Sequence, residues 1–228
     1  MATSAIVTGY SSGLGAEFTK LLLEQGWSVV GVSRKSERET LHERYGKKLT
    51  VVHGSVDQQA VADSAFASAR ELGELKLVIN CAGVGVFGEI GGYSADEIAA
   101  TMAGNLLGLV LFSDVAVRHF RDRGGDIVNV MSTAGKKLRT GESVYVGAKW
   151  GAKGYTRTLR EAVKAAKLPI RVFEVYPCGM NTPFWATATR PVADGLAFPA
   201  PGPIAEQVLE EINARRSVYC QEFTFERS

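Results

Sequence analysis

The chain has 228 residues, 46% hydrophobic and 22% charged, with 26 Lys and Arg against 24 Asp and Glu for a formal net charge of +2. That is the composition of one globular domain with a well-buried core, too short for two ordinary domains and a linker, and it lacks the basic excess of a nucleic-acid binder. Apolar runs break before the roughly 18 residues of a membrane span, Met1-Ala-Thr-Ser-Ala has no signal-peptide features, and neither Cys81, Cys178 and Cys220 nor His42, His53 and His119 have disulfide-framework or metal-ligand spacing, so a cytoplasmic protein without metal, nucleic-acid or membrane partners is expected.

The first predicted strand, Ala5-Ile-Val, runs into Thr8-Gly9-Tyr10-Ser11-Ser12-Gly13-Leu14-Gly15, followed by a helical pattern with Phe18, Leu21, Leu22 and Leu23 on its inner side. A glycine-rich turn between strand and helix presents bare backbone N–H groups and a helix N-terminus to a pyrophosphate. Gly9 serves the tight turn, Gly13 the close approach of the dinucleotide, and Gly15 the packing of helix on sheet. In a chain with 25 glycines the spacing alone says little; its place between strand and helix gives it meaning. The second strand, Ser28-Val-Val-Gly-Val, ends at Ser33-Arg34-Lys35, where an NAD-preferring fold has an acid for the ribose 2′-hydroxyl. A guanidinium there matches a 2′-phosphate with two parallel hydrogen bonds, so NADP(H) is expected in preference to NAD(H). The alternative is that Arg34 and Lys35 form a solvated turn ahead of the capping-box pair Ser36 and Glu39.

Further strands are predicted at Leu49-Thr-Val-Val, Leu75-Lys-Leu-Val-Ile, Asp126-Ile-Val-Asn-Val and Ile170-Arg-Val-Phe-Glu-Val, with a helix opened by the capping box of Ser94 and Glu97 between the fourth and fifth. An irregular excursion with five prolines spans residues 183–203, a last helix begins near Ile204, and Val218 to Phe225 reads as a final strand. The alternation predicts an α/β fold, a Rossmann-like doubly wound parallel sheet of about seven strands in a single domain.

Tyr145-Val-Gly-Ala-Lys149 lies in a helix-like stretch, where a four-residue step puts both side chains on one face. A nearby ammonium favours the phenolate and brings a poor acid–base group toward its working range, so the pair can deliver a proton to a carbonyl oxygen. Ser132 follows the fifth strand, at the carboxyl end where open α/β sheets bind ligands, and its hydroxyl can hold the same oxygen.

The ordered series Thr8-Gly-x-x-x-Gly-x-Gly15, Asn80-Cys-Ala-Gly83, Asn105, Ser132, Tyr145-x-x-x-Lys149 and Pro177 to Thr182 resembles the motif series of the short-chain dehydrogenase/reductase family over nearly the whole chain. The resemblance implies Tyr145 as general acid/base, Ser132 as partner of the substrate oxygen, Lys149 as tuner of the phenol and ligand of the nicotinamide ribose, and Asn105 as holder of a proton-relay water. It implies dinucleotide contacts from Gly9, Ser11, Ser12, Gly13, Leu14, Gly15, Ser33 and Arg34, and from Tyr145 as well as Lys149. Ser55 and Val56 would lie near the adenine. Asn80, Ala82 and Gly83 would flank the adenosine and brace the sheet, Pro177 and Met180 would face the nicotinamide, and Thr182 its carboxamide. This chain departs from the family pattern in having Ser55 for an aspartate, Cys81 for an asparagine and Cys178 for a glycine, the last restricting the backbone along the nicotinamide.

A small, modestly apolar aldehyde or ketone is the expected substrate, with a homodimer or homotetramer as the family habit. The interface candidates are Leu106, Leu107, Leu109, Leu111 and Phe112 on one helix and Gly147, Ala148, Gly151 and Ala152 on the Tyr145 helix. Phe184, Trp185, Leu196 and Phe198, with Val84, Val86 and Phe87 opposite, either wall a substrate pocket or bury the loop. The rival readings are a non-catalytic dinucleotide sensor or scaffold, and a sugar-nucleotide epimerase or dehydratase, which the short segment after Pro183 disfavours.

Overall fold

The computed structural model describes residues 2–34, 43–188, 198–214 and 218–227. Lys35, Ser36, Glu39, His42 and Leu196 therefore lie outside the described residues. Seven strands, β1 (Thr3–Thr8), β2 (Ser28–Ser33), β3 (Leu49–His53), β4 (Glu74–Asn80), β5 (Gly125–Val130), β6 (Ile170–Tyr176) and β7 (Glu222–Thr224), form one sheet in the order β3-β2-β1-β4-β5-β6-β7. Every neighbouring pair is parallel, and the result is the Rossmann-like single domain expected. The final strand is shorter than its sequence suggests: Val218 is 80% exposed and only Glu222–Thr224 pairs with β6.

Alternate side chains of each strand point to opposite faces. Ala5 and Val7 of β1 join one core cluster with Leu14, Phe18, Leu22 and Leu23 of α1 (Gly13–Glu24) and Val208, Leu209 and Ile212 of the last helix. Ile6 joins the other, with Val61, Ala65 and Phe66 of α2 (Gln59–Leu72) and Phe112, Ala116 and Phe120 of α3 (Ala95–Phe120). α4 (Ser143–Ala165) carries Tyr145 and Lys149, α5 is the short turn Phe184–Thr187, and α6 is Gly202–Asn213.

The Ser94–Glu97 capping box forms as the spacing predicts, the Glu97 amide donating to Ser94 Oγ at 3.2 Å and the Ser94 amide to Glu97 Oε2 at 2.8 Å. The helix it opens continues for 26 residues, through Gly104, Asn105 and Gly108, by widening to one π-type turn at Ala103–Leu107. By length and composition it could cross a membrane. Here its inner face is packed on the sheet, with Phe112, Ala116 and Phe120 wholly buried. Of the expected interface residues, Phe112, Leu109, Ala148 and Ala152 are buried in the core, whereas Leu107 and its neighbours Met102 and Ile98 are exposed.

A buried polar chain links the sheet to α4. Asn80 Nδ2 donates to Asn129 Oδ1 at 2.8 Å and to Ser113 Oγ at 3.0 Å, and Asn129 Nδ2 donates to Thr156 Oγ1 at 2.9 Å. In the interior such bonds fix one register, because a slipped partner would leave a buried amide unpaired.

Candidate active site

One cleft of about 1190 Å³ runs along the carboxyl ends of the strands, from Arg34 to Phe198. It exceeds the range of roughly 300–1,000 Å³ typical of small-ligand pockets.

At one end its wall is backbone. Gly9 (φ +71°) and Gly13 (φ +53°) lie in the left-handed region, and a Cβ on Gly15 would come within 2.3 Å of the Gly9 carbonyl oxygen. Thr8 Oγ1 accepts from the amides of Cys81 (3.0 Å) and Ala82 (3.1 Å), holding the ends of β1 and β4 together. Ser12 precedes α1 without capping it through its side chain, and the first turn of α1 has no acid, so its N-terminus suits an anion. Ser11 and Ser33 share a hydrogen bond between their hydroxyls at 2.9 Å, with Arg34 next along the same wall. These features fit a dinucleotide: a bare glycine backbone at the pyrophosphate and a guanidinium at the ribose.

Ser55, Val56, Ala82 and Gly83 line the cleft as the motif series implies. Asn80 does not: its carboxamide is turned inward to Asn129 and Ser113, so its part is to brace the sheet. Asp57, which the sequence reading missed, also lines the cleft, and its Oδ1 is buried without a hydrogen-bond partner among the described residues. The signal was available in the carboxylate directly after Ser55-Val56.

In the middle of the cleft the amides of Met131 and Thr133 donate to the Val175 and Pro177 carbonyls at 2.7 and 3.1 Å, tying the Ser132 segment to the end of β6. The Ser132 hydroxyl lies close enough to the Tyr145 phenol to lower its pKa. Burial pushes that phenol up to about 12, with Ser132 and Arg139 pulling it back and Glu142 adding to the rise. The expected lowering by Lys149 is not found. The Lys149 ammonium sits over the ring, 5.6 Å from its centroid, with Nζ donating to the Val130 carbonyl at 3.4 Å, and burial brings its own pKa down to about 8. Cys81 lies close enough to feel the Lys149 charge, yet burial holds its thiol up at about 12.

Asn105 stands in the widened turn of α3. Its Nδ2 donates to the carbonyls of Val84 (2.8 Å) and Thr101 (3.0 Å), while Oδ1 is buried without a partner among the described residues. A Cβ built on Gly83 would lie 2.8 Å from that oxygen and 3.6 Å from Lys149 Nζ. The two polar groups thus lie against the same side of Gly83, on the lining of the cleft.

Pro177, Met180 and Thr182 line the next stretch. Cys178 adopts no left-handed φ, so the side chain in place of glycine brings no backbone strain. A Cβ on Gly179 would meet Phe198 at 2.5 Å, and Trp185 Nε1 donates to the Met180 carbonyl at 2.8 Å. At this end the wall is aromatic: Phe87 is edge-on to Tyr145 at 5.4 Å between centroids, Phe184 lies 6.0 Å from Tyr145, and Trp185 stacks on Phe198 at 5.1 Å. Val84 and Val86 line the same space. The described aromatic residues of the excursion therefore wall the cleft. No cluster of His, Cys, Asp or Glu that could hold a metal occurs among the described residues.

The family model for short chain dehydrogenase matches residues 3–192. The chain is 30% identical over 217 residues to carbonyl reductase family member 4 of Danio rerio, covering 92% of this chain and 90% of that one. Its fold is similar to a short-chain dehydrogenase/reductase from Vibrio parahaemolyticus, with TM-score 0.84, 25% identity, and 98% and 96% of the two chains covered. It is also similar to an alcohol dehydrogenase from Thermococcus sibiricus complexed with 5-hydroxy-NADP, with TM-score 0.87 and 21% identity over 100% and 99% of the chains. Fold, glycine loop and ordered motif series agree with that match, and the chain belongs to the short-chain dehydrogenase/reductase family of oxidoreductases.

Proposed function

We propose that the protein is an NADP(H)-dependent reductase of a small carbonyl compound, with Tyr145 as general acid. The observation that carries this reading is that Ser132 and Tyr145, with Lys149 against the phenol ring, line the same cleft as the glycine loop. When bound, the dinucleotide supplies the hydride to the carbonyl carbon. Gly9, Ser11, Ser12, Gly13, Leu14 and Gly15 would hold its pyrophosphate, and Ser33 and Arg34 the 2′-phosphate. Ser55, Val56, Ala82 and Gly83 would hold the adenosine, and Lys149, Pro177, Met180 and Thr182 the nicotinamide half.

Ser132 orients the carbonyl oxygen toward Tyr145, and the phenol O–H bond breaks as the proton passes to it. A phenol held near pKa 12 stays protonated at neutral pH, the form that reduction needs. Lys149 and a water held at Asn105 Oδ1 would return the proton to Tyr145. The reverse oxidation uses the same groups. The exposed Ile98, Met102 and Leu107 on α3 would be covered in a homodimer or homotetramer, and free thiols beside an NADPH site suit the cytosol.

The test is NADPH consumption by the purified protein with a panel of aldehydes and ketones, run in parallel with Tyr145→Phe. Turnover that disappears in the variant supports the reading. NADPH binding without reduction of any carbonyl would sink it in favour of a sensor of the same fold.

A further inference from the structure

Beyond the Tyr145 hydroxyl the cleft has two walls of different chemistry. One is the aromatic set Phe87, Phe184 and Trp185. The other is charged, with Lys137, Arg139 and Glu142 from the segment between Ser132 and Tyr145, joined by Glu226 and Arg227. Two of the three cations there are engaged: Lys137 pairs with Glu226 at 2.6 Å, and Arg227 lies over the Phe198 ring at 5.2 Å. Arg139 forms no ion pair among the described residues. Its guanidinium donates one hydrogen bond, from Nη2 to the neutral Thr133 hydroxyl at 3.2 Å.

That bond is a tether. Thr133 is 5% exposed and directly follows Ser132, about 3.8 Å away in Cα spacing, so the charge is held beside the group that orients the carbonyl. The phenol of Tyr145 feels Arg139 and Glu142 with opposite signs, which puts both charges within electrostatic reach of the reacting oxygen. A guanidinium with N–H groups to spare on an aromatic-walled cleft matches a carboxylate by charge-assisted, bidentate hydrogen bonds. A neutral ketone would leave those donors to water.

We propose that Arg139 is a specificity-determining residue and that the substrate is an oxo acid: a carbonyl compound with an apolar ring or chain against Phe87, Phe184 and Trp185, and a carboxylate a few carbons away on Arg139. The proposal rests on the reductase reading and adds the charge of the substrate. Glu142 is the built-in counter-argument, since a rim on which it cancelled Arg139 would show no preference for an anion.

The matched probes are 4-formylbenzoate and its methyl ester, which share ring and aldehyde and differ only in the carboxylate. The ester is the more electrophilic aldehyde, so intrinsic reactivity works against the expected result. With NADPH, the native protein reduces the acid with a kcat/KM at least about tenfold above that of the ester. Arg139→Met removes about 10- to 100-fold from the acid, the loss expected for hydrogen bonds to a charged group. The same variant lowers the ester by a clearly smaller factor, so the acid-to-ester ratio collapses, and Arg139→Lys recovers part of that ratio. Equal treatment of acid and ester by the native protein, or an equal loss for both in Arg139→Met, overturns the proposal, while their turnover would still support a reductase. Binding of both probes to NADPH-loaded Tyr145→Phe, read by quenching of cofactor fluorescence, separates the two failures. Tighter binding of the acid, lost on adding Arg139→Met, upholds the anion site even if the native protein turns over neither compound.

Discussion

The two ends of the cleft are built from different material. At the glycine loop the surface is main chain, and its shape is set by the absence of side chains: Gly15 has no room for a Cβ against the Gly9 carbonyl, and Gly9 and Gly13 take a backbone that other residues resist. At the Tyr145 end the surface is a set of rings and charged groups, held by edge contacts and by bonds from distant parts of the chain. A wall of backbone can be read from residue spacing, because strand, turn and helix fix it locally. A wall of side chains depends on which loops meet, and that is a property of the whole fold.

The comparison predicts that damage at the two ends has different signatures. The largest effect falls at the side-chain end. Tyr145→Phe should lower kcat by about 10²- to 10⁴-fold, as for loss of a general acid, while NADPH affinity measured by titration stays unchanged. A comparable fall in affinity would mean that the two ends are not separate.

Next comes Lys149, whose ammonium is buried between them. Its native pKa, about 8, lies below the unfolded value of 10.5. Below pH 8 both states are protonated and the full cost of burying the charge is felt; as pH rises from 8 to 10.5 the native state loses its proton first and the cost fades. Lys149→Met should therefore be more stable than the native protein at pH 7, by up to roughly 3 kcal/mol. Denaturant unfolding at pH 7 and pH 10 should show the gap closing, and a gap independent of pH would refute this account of the lysine.

Arg34→Ala acts at the backbone end. It should weaken NADPH by about 10- to 100-fold and leave NADH unchanged, the difference being hydrogen bonds to one phosphate. Equal losses for both nucleotides would show that Arg34 is not the discriminating group. The smallest effect is expected at Gly13, where a Cβ would sit 3.2 Å from the Thr182 side chain in a left-handed backbone. Gly13→Ala should cost about 1–2 kcal/mol of stability, read as a lower denaturant midpoint. Because Thr182 belongs to the segment after β6, this variant alone should disturb both ends together.

Six of the seven strands were legible to within two residues, because short apolar runs between glycine turns admit few other readings. The cleft was legible where it is backbone. It was not where distant segments return to it: Glu226 reaches Lys137 across 89 positions, and no periodicity announces that pairing. Of the two parts the motif suggests for Asn80, it braces the sheet and does not line the cleft, because a motif position does not say which way a carboxamide turns. Helical spacing brings Lys149 near the phenol and so suggests a tuner, but spacing does not show that its nitrogen donates to the Val130 carbonyl. Arg139 carried no signal as a site residue, since an arginine in a loop between Ser132 and Tyr145 is also what a solvated turn looks like.

The widened turn at Ala103–Leu107 makes α3 intolerant of small changes in length. A π-type turn takes up one extra residue within a single wider turn, so Ser94–Met102 and Phe112–Phe120 keep their faces across it. Deleting one residue there would restore a regular helix with those flanks nearly in register, but would remove the extra backbone step on which Asn105 sits. Asn105 would swing away from Val84 and from the side of Gly83 it shares with Lys149. The turn therefore acts as a one-residue spacer that inheritance must keep: substitutions along the outer face of α3 can accumulate, while insertions and deletions within it should be purged.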